Sequence, residues 1–109
     1  RVKDLTVNTV AGSILQDINL IGDEAGTLAA GFNAPSADNT ASRVWTLPAS
    51  PTVGQVVYVK APNSCSETLT IVITRAGSQV IDGATTATLQ SPNAAVGLCY
   101  VSNNLWNLF

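Results

Sequence analysis

The sequence has no histidine and very little charge. Five basic and seven acidic residues make up 11% of the chain, against about 25% in an ordinary soluble domain. Without histidine the commonest general base is missing, and so is every Ser-His or Cys-His nucleophile pair, which excludes hydrolysis through the usual triads. Two cysteines and no histidine are too few for a four-ligand zinc site. The glycines of "GSQVIDG" open no helix, so they form no phosphate cradle. No metal or cofactor is expected. The net charge of -2 includes no basic run, which argues against a nucleic-acid partner. No apolar run reaches the roughly 18 to 20 residues of a membrane-crossing helix, and the first residues lack the basic-then-apolar pattern of a secretory signal. Neither a membrane partner nor secretion is therefore expected.

Thr, Ser, Asn, Ala and Gly stand where charge would otherwise be, and such a surface loses little ionic hydration when another protein covers it. That composition predicts an oligomer or a larger assembly. The 109 residues suit one domain, with a core large enough to fold without metal or disulfide staples. Cys65 lies in the turn-like "PNSCSE" and Cys99 in the strand-like "VGLCYV". A bridge between them is open on sequence grounds, but two unpaired thiols are favoured, with Cys99 a small packing residue.

From residue 43 onward, short β-rich runs alternate with strong breakers, which predicts an all-β domain. "RVWTL" stops at Pro48, and Pro51 and Gly54 punctuate the loop before "QVVYVKA" at 55–61, where Val57 and Val59 share one face. "TLTIVITR" at 68–75 sets Leu69, Ile71 and Ile73 against Thr68, Thr70 and Thr74. Asp82-Gly83 is a strong turn signal. "TTATLQ" reads as the next strand, and "AVGLCYV" at 95–101 pairs through "SNN" with "LWNLF" at 105–109. Trp106, Leu108 and Phe109 predict a docked C-terminus. The expected fold is an antiparallel β-sandwich or small barrel spanning 43–109.

Residues 1–42 differ. "DLTVNTV" at 4–10 alternates like a strand, and "SILQDINLI" at 13–21 fits both helical and strand spacing, with strand preferred in so β-rich a chain. Residues 22–42 are small and polar, with Leu28 and Phe32 as the apolar anchors. They predict a long loop or an extended N-terminal arm that orders against a neighbouring subunit.

Little of this suggests catalysis. Asp23 and Glu24 are adjacent in a loop, while Asp17, Glu67 and Asp82 lie in separate turns or strands, so no carboxylate pair is apparent. Trp45, Trp106, Tyr58 and Tyr100 are the raw material of a sugar-stacking platform, but their mid-strand positions favour core or subunit contact.

Taken in order, "WTLPASPTVGQVVYVK", "LTIVITRAGSQVIDGATTATL" and "AVGLCYVSNNLWNL" resemble a β module of tailed-bacteriophage virion proteins. In that module a strand ends in Leu-Pro-Ala, a Gly-initiated strand follows, an Ile-Asp-Gly turn comes next, and an Asn or Gly turn before Trp closes the last hairpin. The resemblance covers roughly residues 43–109. It implies a non-enzymatic structural protein of the virion, typically trimeric: a capsid decoration (cement) protein, a head fibre or a tail-fibre module. The absence of heptads or an internal repeat favours a small free-standing domain over a fibre, for which the resemblance implies a homotrimer that decorates the capsid surface and binds the major capsid protein, after assembly in the host cytoplasm. Leu28 and Phe32 are then expected at the capsid or a neighbouring subunit, and Trp45, Tyr58 and Trp106 in core or trimer packing. The alternative is a fibre domain that binds host-surface carbohydrate through exposed aromatics. A polysaccharide-degrading enzyme would need two carboxylates converging in a groove.

Overall fold

A computed structural model describes residues 18–109 and places ten strands there and no helix. In chain order they are β1 (Ile18–Ile21), β2 (Gly26–Thr27), β3 (Gly31–Pro35), β4 (Arg43–Thr46), β5 (Val56–Lys60), β6 (Ile71–Thr74), β7 (Val80–Ile81), β8 (Thr86–Leu89), β9 (Ala95–Ser102) and β10 (Leu105–Leu108). They form a six-stranded sheet, β1-β3-β5-β9-β10-β7, and a four-stranded sheet, β2-β4-β6-β8. Inward residues of both sheets join one apolar core: Ile21, Val57, Val59, Leu98 and Trp106 from the larger, Trp45, Ile71, Ile73 and Leu89 from the smaller. The all-β class is as expected, and the arrangement is a sandwich.

The strand pairing differs from the antiparallel expectation. β1–β3, β3–β5, β2–β4, β4–β6 and β7–β10 are parallel; β5–β9, β9–β10 and β6–β8 are antiparallel. Through β9, successive strands go to opposite sheets. Parallel neighbours need a crossover, and here each crossover carries a strand of the facing sheet. The proline-bracketed stretch between β4 and β5 is therefore a passage from sheet to sheet. Two local turns do match expectation. Asp82 and Gly83 have φ of 49° and 85°, and Ile81 and Ala84 exchange two 2.8 Å backbone bonds across them, the paired positive-φ geometry that Asp-Gly favours. The β9–β10 hairpin forms with Asn104 at φ 57°, its amide donating to the Tyr100 hydroxyl at 2.8 Å.

The arm over 22–42 is corrected in the same way. β2 forms the edge of the four-stranded sheet and β3 lies between β1 and β5 in the other, and buried asparagines hold the connecting loops. Asn33 Oδ1 accepts from the Ala29 amide and from Asn19 Nδ2, each at 2.9 Å. Its Nδ2 donates to the carbonyls of Ala29 and Tyr58, also at 2.9 Å. Asn19 and Asn33 are register partners, so their amides stack as a short ladder between parallel strands. Asn39 likewise donates to the Ala41 and Leu69 carbonyls and receives the Ser64 hydroxyl. A small, polar segment thus becomes ordered by satisfied amide networks instead of apolar bulk. The strand expected at 4–10 and the first part of 13–21 lie outside the described residues.

Candidate interaction surface

A two-sheet sandwich has two outer faces, and here they differ in chemistry. On the four-stranded sheet, register aligns Thr27, Thr46, Thr74 and Thr86 in one row across all four strands. Val44, Val72 and Thr88 form the next row. Hydroxyls alternate with methyls there, as on an ordinary solvated strand surface.

The outer face of the six-stranded sheet is apolar. Register aligns Ile18, Phe32, Tyr58 and Gly97 across β1, β3, β5 and β9. Phe109 closes the row, bonded to Gly97 through its amide at 2.9 Å. Leu20 and Ala34 form an adjacent register pair. Ile18, Leu20, Phe32 and Phe109 are exposed by 57%, 63%, 39% and 66%, where a solvated sheet would carry polar side chains. Taking roughly 200 Å² for each such side chain when fully open, these four present on the order of 450 Å² of apolar surface. That matches the largest patch of a typical monomer, about 300–600 Å², which is often functional.

Three rings organise the face. Phe32 stacks on Tyr58 with centroids 4.8 Å apart and planes 19° apart, and Tyr58 meets Phe109 edge-on at 5.9 Å and 83°. Gly97 makes this possible, because a Cβ at that position would come within 2.5 Å of Phe109 Cζ. The Phe109 ring therefore lies directly over the backbone of β9. Between the rings and Ile18 runs an open groove of about 390 Å³. Its polar lining is small: the Asn33 amide is already bonded on both sides, and Lys60 Nζ is held by the Asn93 carbonyl at 2.8 Å. Such a lining suits an apolar occupant, since a polyhydroxylated ligand needs several free, convergent polar groups.

Of the residues singled out in the sequence, Phe32 and Tyr58 meet on this face. Leu28, at 2% exposure, and Trp45, at 4%, belong to the core, which corrects the expectation that Leu28 reaches a partner. Trp106 is fully buried and donates its Nε1–H to Gln79 Oε1 at 3.0 Å. With both tryptophans inside, neither forms a sugar platform. Trp45 Nε1 is a buried donor with no acceptor among the described residues. Phe109, Ile18, Leu20 and Gly97 complete the face and were not marked as contact residues beforehand. The signal for them was the alternation in "INLI" and an aromatic terminus, whose common face appears only once the strand order is known.

Both cysteines are free thiols; Cys65 is buried with Sγ 3.2 Å from the Leu89 carbonyl, and Cys99 is half-buried. Asp23 is engaged structurally: Oδ1 accepts from Arg43 Nε at 2.7 Å and the Thr40 amide at 3.0 Å, and Oδ2 from the Thr40 hydroxyl at 2.8 Å. The Arg43 hydrogen bond, reinforced by those of Thr40, lowers its pKa to about 2, so it is a fixed anion that ties the β1–β2 turn to β4. Asp82 accepts from the Leu108 amide at 3.3 Å. Among the described residues no group of three or more Cys, Asp or Glu is placed to hold a metal ion. Compared with family models, curated proteins and solved structures, the chain matches none.

Proposed function

We propose that this chain is a structural, non-enzymatic protein of a tailed-bacteriophage virion, acting as a trimeric decoration protein that binds the major capsid protein on the outside of the head. The observation that carries the reading is the contiguous apolar outer face of the six-stranded sheet on a chain with only 11% charged residues. The sequence resemblance over residues 43–109 supports it, as does a fold in which Asp23, Asn33 and Asn39 are occupied in holding loops. A subunit that binds only the assembled lattice stabilises that lattice by mass action, without chemistry. Several weak contacts per trimer add avidity.

A fibre domain that grips host carbohydrate is the second reading, favoured by the exposed Phe32–Tyr58–Phe109 cluster. The shortage of free polar groups in the groove weighs against it. The experiment mixes the purified chain with heads of its parent virus assembled without it. Saturable co-sedimentation and a raised temperature of head disruption are expected. A chain that stays in the supernatant at every protein concentration and leaves that temperature unchanged overturns the decoration role.

A further inference from the structure

We propose that the outer edges of β1 and β2, at one end of the sandwich, form a docking site for an extended segment, and that its occupant is the stretch 4–15 of the same chain. The site lies at the end of the sandwich and stands apart from the decoration role, which rests on an outer face.

The site follows from the topology. Among the described residues, β1 ends the six-stranded sheet and β2 ends the four-stranded sheet, each with a neighbour on one side only. Both pair in parallel with the strand inside them, so both offer outward amides and carbonyls to a further parallel strand. β1 reads INLI and carries neither charge nor proline, two of the devices that blunt an edge against pairing.

The occupant follows from a match between register and sequence. β1 and β3 pair with Ile18 beside Phe32 and Asn19 beside Asn33, a step of 14 positions. Moving back by the same step sets "VNTVAGSI" at 7–14 against "IGDEAGTL" at 21–28. Val7 matches Ile21, Ala11-Gly12 matches Ala25-Gly26, Ser13 matches Thr27 and Ile14 matches Leu28. The match is short and occurs once, so it does not stand out as a repeat until the register of β1 is known.

Side-chain polarity agrees with this register. In β1, Ile18 and Leu20 are exposed and Ile21 is buried. Asp4 and Thr6 then take the outward positions, and Leu5 and Val7 the inward ones. Beside β2, Ser13 extends the row Thr27, Thr46, Thr74, Thr86, and Ile14 joins the buried Leu28. Gly12 stands beside Gly26, whose missing side chain leaves room for the Trp45 indole: a Cβ there would lie 2.5 Å from Trp45 Cζ3. The six-stranded sheet then ends on a strand that carries Asp4 and is preceded by Lys3, and a charged edge resists pairing with other chains.

The segment comes from the same chain because the length fits. The stretch from Ile14 to Ile18 is as long as that from Leu28 to Phe32, which already carries the chain from the smaller sheet back to the larger.

The test is nuclear magnetic resonance on the full, isotopically labelled chain, with urea titration of Val7→Asp, Ile14→Asp and the outward controls Thr6→Asp and Ser13→Asp. Methyl Overhauser contacts are expected from Val7 to Ile21 and from Ile14 to Leu28. All backbone amides of β1 are expected to exchange slowly, including those turned away from β3. Val7→Asp and Ile14→Asp are expected to lower the urea midpoint, while the controls keep it. Where the aspartate variants do not fold, Val7→Ala and Ile14→Ala serve, with a fall of roughly 1–2 M. Equal midpoints for inward and outward variants, with alternate β1 amides exchanging freely in wild type, overturn the inference. Contacts between Val7 and Ile21 that appear only across a mixture of labelled and unlabelled chains also overturn it, and give the site to the segment of a neighbouring copy.

Discussion

Replacing Asn33 with alanine is expected to lower the unfolding free energy by about 3–4 kcal/mol, more than any other polar substitution in the described part of the chain. Asn33 is 1% exposed, and its amide serves the Ala29 amide and carbonyl, the Tyr58 carbonyl and Asn19. Alanine fills less space and answers none of them. Each buried backbone group left without a partner costs about 1–3 kcal/mol, and water reaching the site would recover part of the loss. With a urea m-value of about 1–1.5 kcal/mol/M for a domain of this size, the midpoint falls by roughly 2–4 M. The same substitution tests how residues 18–42 belong to the fold. If they formed an arm detached from the sandwich, Asn33→Ala would leave the midpoint where it was, and a shift under about 0.5 kcal/mol would contradict the architecture described above.

Trp106→Ala is expected to cost about 4–5 kcal/mol, near the upper end for removing a large core aromatic. The ring is fully buried, packs against Tyr100 at 5.2 Å, and donates to Gln79. Gln79 in turn holds the Pro48 carbonyl at 3.0 Å and the Ala76 amide at 3.2 Å. One indole therefore connects the C-terminal hairpin, the turn before β7 and the passage between the sheets. In a domain whose total stability is about 5–15 kcal/mol, the variant is marginally folded. Trp106→Phe keeps most of the ring and loses the hydrogen bond, for about 2 kcal/mol. Urea titration followed by near-ultraviolet circular dichroism separates the two. A Trp106→Ala chain that unfolds like wild type but loses its oligomeric mass would move this residue from the core to a subunit contact.

The two substitutions mark the limits of what the sequence reveals. Trp106 was legible because period-2 alternation states which residues share a face, and "LWNLF" places an aromatic on the same side as Leu108. Asp82-Gly83 was legible as a turn from its residue types, and the same alternation put Val57 with Val59 and Ile71 with Ile73 on shared faces, which the fold buries. It carries no information on which strand lies beside which. Breakers such as Pro48, Pro51 and Gly54 read equally well as a hairpin or as a passage to the facing sheet, and only long-range packing chooses the latter.

Asn33 was not legible for another reason. A buried asparagine looks like a loop residue until the groups it bonds, 4 to 25 positions away, are brought together by the fold. Residues 22–42 therefore read as an arm through lack of apolar bulk, when amide networks supply the order. The interaction face shows the same dependence. Phe32 and Tyr58 stood out as large apolar residues, but Ile18, Gly97 and Phe109 join them only through the register of four strands.

The decoration role requires the apolar outer face of the six-stranded sheet to be covered in the working assembly. Hydroxyl-radical footprinting of the chain, dilute and alone and then bound to viral heads, tests it directly. Labelling of Phe32, Tyr58 and Phe109 is expected to drop severalfold on assembly, while Val44 and Val72 on the threonine-rich face keep their reactivity. Equal labelling of the three rings in both states, with protection confined to Val44 and Val72, would contradict it.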